Sequence, residues 1–188
     1  MELNYLYEAV PVLDRYLESK EAAWPLPGIA REPAYAFSTL TVGVVLFMLK
    51  RVKARDLAGK QADERGDYET RIFQTRIHHE REWKKKVGQD LGNRMRQWGA
   101  YLDEYHKDPI TMISSFPHQV SQRVILQTLM DEQDPGNLLV APLQFMLQSL
   151  DAALKAIFTP GDFVWEPALM AGFPKNTDWY LYGSIKGK

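Results

Sequence analysis

The sequence predicts an all-α chain: a candidate single transmembrane helix, then a long amphipathic helix and a small helical bundle with an extended aromatic C-terminal tail. Three observations carry this. Apolar residues recur at spacings of three and four over most of the chain, the period of one helix face. One stretch, 33–49, holds no charge and ends in four basic residues within six positions. The last stretch, 162–188, keeps no period yet is rich in aromatic residues.

Composition bounds the rest. The 188 residues are 45% apolar and 25% charged, enough to bury a core. With no cysteine, disulfides, thiolate metal sites and cysteine nucleophiles are excluded. Charge is uneven: net −3 over 1–49, +6 over 50–96 and −4 over 97–188. A basic block between acidic ends suggests a surface facing something anionic, or a solvated helix face of mixed charge. The opening Met1-Glu2-Leu3-Asn4-Tyr5 lacks the basic start and apolar core of a signal peptide, so any targeting is expected from an internal segment.

The first part, 1–32, reads as an N-terminal helix and a Pro-rich linker. Leu3, Leu6, Val10, Leu13 and Leu17 form one stripe, which Pro11 should kink or split. Trp24-Pro25-Leu26-Pro27-Gly28 is a rigid linker. The second part, 33–55, is the candidate span with its basic flank. Pro33 suits a first helical turn. Lys50, Arg51, Lys53 and Arg55 resemble a stop-transfer flank that would meet anionic lipid headgroups, and Trp24 and Tyr35 stand at the other interface. If the segment spans, the basic side is cytoplasmic, matrix or stromal and the N-terminus lies outside. The run is close to the lower limit of about 17 residues for a span. Ser38, Thr39, Thr41 and Gly43 dilute it, so the alternative is the core helix (34–49) of a soluble bundle.

The third part, 56–161, is a helical region. Gly59 and Gly66 suggest a break over 56–67, with Asp67 able to cap the next helix. A single long helix is expected over 68–105, with a stripe of Phe73, Ile77, Val87, Leu91, Met95, Trp98, Leu102 and Tyr105, and Trp83 and Tyr101 beside it. Lys107-Asp108-Pro109 ends it, and Ser114-Ser115-Phe116-Pro117 opens the next helix. Asp134-Pro135-Gly136 reads as a turn. A helix over Val140–Phe158 comes after it, with only Asp151 and Lys155 charged; its broad apolar face suggests burial between helices or against a partner. Thr159-Pro160-Gly161 stops it. The fourth part, 162–188, carries Phe163, Trp165, Phe173, Trp179, Tyr180 and Tyr182, and reads as a strap over the chain's own helices or a partner-binding arm.

Chemistry is sparse. His78, His79, Glu80 and Glu82 cluster, as do Asp103 and His106, but the order is wrong for paired Glu-x-x-His motifs and His-Glu-x-x-His is absent. Ser114, Ser115 and His118 lie close together without a Gly-x-Ser-x-Gly elbow. No glycine-rich phosphate loop occurs. Lys84-Lys85-Lys86, Arg76, Arg81, Arg94 and Arg96 with Trp83 could contact nucleic acid, but Glu80, Glu82 and Asp90 interleave, which weighs against it. A non-enzymatic chain without metal or cofactor is expected. In layout it resembles peripheral-stalk and supernumerary subunits of energy-converting membrane complexes. That resemblance implies an accessory subunit anchored in a membrane; the stripe residues Trp83, Val87, Leu91, Met95, Trp98 and Leu102 and the tail residues Trp165, Trp179, Tyr180 and Tyr182 are the expected contacts with other subunits. The alternative is a soluble helical-bundle adaptor or assembly protein.

Overall fold

The structure, a computed structural model, describes residues 2–29, 37–105, 107–133 and 140–186. Helix makes up 73% of it, in seven α-helices with a few short strands, so the class is mostly α. The predicted roles of Pro33, Tyr35, His106 and the Asp134-Pro135-Gly136 turn fall outside the described residues. The chain divides into two compact units, 1–90 and 91–188.

The first unit begins with α1 (Glu2–Ala9) and α2 (Leu13–Glu18), split by a 3-10 turn, Val10–Val12, that contains Pro11. Tyr5, Leu6, Ala9, Leu13, Tyr16 and Leu17 are buried. β1 (Trp24–Pro25) pairs antiparallel with β2 (Thr39–Leu40). α3 (Val42–Ala54) begins almost at once.

This arrangement corrects the predicted span. Thr39 and Leu40 are spent on pairing with β1, and Thr41 caps α3, accepting from the Val44 amide at 3.3 Å. The helix therefore has 13 residues and runs into the basic stretch. At about 1.5 Å per residue it reaches about 20 Å, against the roughly 30 Å of a hydrocarbon core. No helix among the described residues is long and apolar enough to cross a membrane. α3 is uncharged at its start because Val42, Val44, Val45, Phe47 and Met48 are all buried, the position expected of a core helix.

The predicted break over 56–67 is present but shorter, confined to the residues between Ala54 and Lys60. α4 (Lys60–His78) starts directly after Gly59, whose φ of 55° supplies the turn. One interior glycine, Gly66, costs only about 1 kcal/mol, too little to stop a 19-residue helix. The single helix expected over 68–105 is interrupted instead at His79, where φ is −112° and ψ 39°. α5 (Glu80–Glu104) then resumes, the Trp83 amide donating to the His79 carbonyl at 2.8 Å. The N-terminal end of the stripe is off by one residue: Ile72 is buried, while Phe73 and Ile77 are exposed.

The late residues of the first unit close it. Asp90 is buried and accepts from the Gly43 amide at 2.8 Å, placing a carboxylate at the positive end of α3. Lys86 is buried too, donating to the carbonyls of Ser19 (3.1 Å) and Glu21 and lying 4.4 Å from the Tyr16 ring centroid. Burial, and then the Lys85 charge, hold its pKa below the ordinary lysine value.

The second unit holds the rest of α5, then α6 (Pro109–Asp131) and α7 (Val140–Ile157). α6 begins earlier than predicted. Asp108 accepts from the Thr111 amide at 3.2 Å and Pro109 sits in the first turn, so the start is capped before Ser114 is reached. Ser114 and Ser115 lie inside the helix and donate to the carbonyls of Thr111 and Met112. Pro117, expected near the helix start, falls in its interior.

Residues 162–186 of the tail pack against α6 of the same unit, as a strap would. β3 (Phe158–Phe163) pairs antiparallel with β4 (Tyr182–Ile185), with an irregularity between Pro160 and Phe163. Two 3-10 turns, Pro167–Gly172 and Trp179–Leu181, lie between them. Gly183 has φ 150°, and a Cβ there would overlap the Thr159 carbonyl, so glycine is required. Leu169, Phe173, Tyr180 and Leu181 are buried.

Candidate functional site

The predicted interface residues on the stripe sit inside the protein. Trp83 and Val87 are buried in the first unit, and Leu91, Met95, Trp98 and Leu102 in the second, none more than 4% exposed. Trp98 stacks on Tyr101 with ring centroids 5.3 Å apart. The Tyr101 hydroxyl donates to the Met112 carbonyl at 2.6 Å, and burial pushes its pKa up to about 12. The period of three and four marked core here, because a helix face turned to its own neighbours and one turned to a partner share the same spacing. As packed, these side chains offer a partner no surface.

The tail aromatics are partly in the same position. Tyr180 is buried under the Arg123 guanidinium, 4.7 Å from its ring centroid. Its hydroxyl donates to Asp178 at 3.1 Å, and burial raises its pKa against the opposing pull of Arg123. Arg123 in turn grips Asp151 of α7 with a two-pronged contact, 2.6 and 2.9 Å. Trp165, Trp179 and Tyr182 are half-buried. Trp165 donates to the Pro117 carbonyl at 2.8 Å, Lys155 lies 5.1 Å over Trp179 and Tyr182 donates to the Phe173 carbonyl at 2.8 Å.

Three of the four basic-flank residues are paired with carboxylates of the same unit. Arg51 and Arg55 converge on Glu2, which is 3% exposed. Glu2 Oε1 accepts from Arg51 Nε at 2.9 Å and Arg55 Nη2 at 3.1 Å, and Oε2 accepts from Arg55 Nε at 3.2 Å. Lys53 pairs with Glu69 at 2.6 Å, and Lys50 is half-buried. This carboxylate–diarginine cluster joins residues 49 and 53 positions apart, so no local motif announces it.

The other candidate chemistry is dispersed. His79 Nε2 lies 3.4 Å from Asp14, which also accepts from Thr75 at 2.9 Å, and the His78 and His79 rings meet edge to face. No group of three or more metal-ligating side chains occurs among the described residues. Of the basic block, Lys84 pairs with Glu80 at 2.6 Å, Arg94 donates to Gln122 and Arg96 to Asn93, both at 2.5 Å, and Trp83 has no face open for stacking.

What the second unit does present is α7. Leu147 and Leu154 are its buried residues, with Leu150 against Gly99 of α5. The opposite side carries Phe145 at 72% exposure and Met146 at 49%, among exposed Pro142, Ser149, Ala152, Ala153 and Ala156. None of these is charged. One flank of the helix is polar, where Gln144, Gln148 and Asp151 line a groove of about 430 Å³ together with Arg123, Gln127 and Asp131 of α6. The breadth of this apolar surface is legible in the sequence, but its inner and outer sides are both apolar there and differ only in what packs on them. Comparison of the chain with protein-family models, with curated proteins and with solved structures gave no match.

Proposed function

We propose that this chain is a non-catalytic helical adaptor or accessory subunit whose work is to hold another protein. The observation that supports this is the outer face of α7: uncharged over four turns, with two large apolar side chains standing in solvent. Clustered apolar surface of this kind marks interaction sites more than scattered single exposures do. Phe145 and Met146 are the anchors of the proposed contact, Pro142, Ala152, Ala153 and Ala156 its shallow surroundings, and the α6–α7 groove its polar rim. Anchoring by a span of its own is no part of this reading, since α3 is short and Arg51, Arg55 and Lys53 are engaged with Glu2 and Glu69.

The test is co-purification of companions from the native source with the wild-type chain and with Phe145→Glu, Met146→Glu. Both positions are exposed, so the variant keeps its circular dichroism and melting temperature while the companions are lost. A variant that retains every companion at wild-type yield overturns the proposal.

A further inference from the structure

The outer face of α7 has a pattern that specifies its occupant. With about 100° between successive residues, Pro142, Phe145, Met146, Ser149, Ala152, Ala153 and Ala156 form one continuous strip. Every one of them is exposed. The strip is large at its N-terminal end and small at its C-terminal end, and Ser149 is its midpoint. Positions equidistant from Ser149 pair large with small: Phe145 with Ala153, Met146 with Ala152, Pro142 with Ala156.

We propose that this face pairs with the same face of a second copy, antiparallel, about a two-fold axis at Ser149. The inference rests on the reading of the α7 face as a docking surface. In an isologous contact residue i of one copy meets residue j of the other, and j meets i. Antiparallel pairing therefore seats each Phe145 over the partner helix's Ala153 position and each Met146 over its Ala152 position, twice over. A parallel pairing would set Phe145 against Phe145 and leave the alanine ends apart.

Charge agrees with this. The strip holds none, so two copies bring no like charges together. The two charged residues of α7 are occupied within their own chain, Asp151 by Arg123 and Lys155 over the Trp179 ring. Area sets the strength. A strip roughly 25 Å long and 10 Å wide is well below the approximately 800 Å² per partner of a standard stable interface. The pair is accordingly weak and reversible.

The absence of cysteine makes the geometry directly testable, since any introduced thiol is the only one. Ser149→Cys, on the proposed axis, is expected to give a covalent dimer under mild copper–phenanthroline oxidation at least about tenfold faster than Thr70→Cys, an exposed control site on α4. Phe145→Cys mixed with Ala153→Cys should yield the mixed dimer in preference to either homodimer. Adding Ala153→Glu to Ser149→Cys should slow the coupling about tenfold or more, because a two-fold meets each substitution twice. Coupling of Ser149→Cys no faster than the control, or homodimers of Phe145→Cys exceeding the mixed dimer, overturns the pairing. Either result removes the second copy as occupant and leaves the docking reading standing, which falls only if the Phe145→Glu, Met146→Glu chain keeps its companions.

Discussion

Replacing Glu2 by Gln probes the polar clamp between α1 and α3. Burial alone would raise the pKa of this carboxyl, but the Arg55 hydrogen bond, the bond from its own amide and the Arg51 charge outweigh it, and the pKa falls from 4.5 to about 2. A carboxylate whose folded value is depressed stabilises the fold while ionised. That contribution is complete above pH 4.5 and is lost as pH falls from there through about 2. At about 1.4 kcal/mol per pKa unit, the shift amounts to about 3 kcal/mol at neutral pH, of which about 2 kcal/mol is gone near pH 3. Urea unfolding should therefore show Glu2→Gln less stable than wild type by about 3 kcal/mol at neutral pH and by only about 1 kcal/mol near pH 3. The wild-type–variant difference is the quantity to track, because other carboxylates titrate over the same range. Lys53→Ala supplies the contrast: both partners of its pair are about half exposed, so it should cost less than about 0.5 kcal/mol at either pH. A Glu2→Gln chain as stable as wild type at neutral pH, or a deficit that does not shrink on acidification, would refute the argument.

Two further substitutions separate core from surface. Trp98→Ala, at a fully buried site stacked on Tyr101, should lower unfolding free energy by about 3–5 kcal/mol, while Phe145→Ala should change it by less than about 0.5 kcal/mol. Denaturant melts that ranked the two the other way would mean the stripe and the α7 face had been exchanged. Arg123→Met strands Asp151 and removes the cation over Tyr180, and should cost about 3–5 kcal/mol. Adding Asp151→Leu should restore part of that in a double-mutant cycle, and strictly additive losses would show that the two do not act as a pair.

The readability of this sequence tracked the range of the interactions involved. α7 was placed almost to the residue because its signals are local: a dense apolar period bounded by Thr159-Pro160-Gly161. Pro11 split the first helix for the same reason. The start of α6 is local too, with Asp108 and Pro109 in adjacent positions, but the Ser114–Pro117 pattern offers a second start of the same kind. The uncharged run over 33–49 misled because two of its residues pair with Trp24 and Pro25, a non-local bond that hydropathy does not register. The Glu2 cluster, the Asp90 cap and the outward turn of Phe145 depend on which elements meet, and nothing in the neighbouring residues encodes that.

Asp90 and Lys86 have a consequence for how the first unit comes into being. α3 receives its N-terminal carboxylate, and the end of α2 its cation, only from residues at the far edge of the unit. During synthesis the earlier helices therefore emerge without their closing contacts and acquire them last. A fragment cut before Lys86 would lack both clasps even with every earlier helix intact, and one that ends at Asp90 is the shortest to carry both.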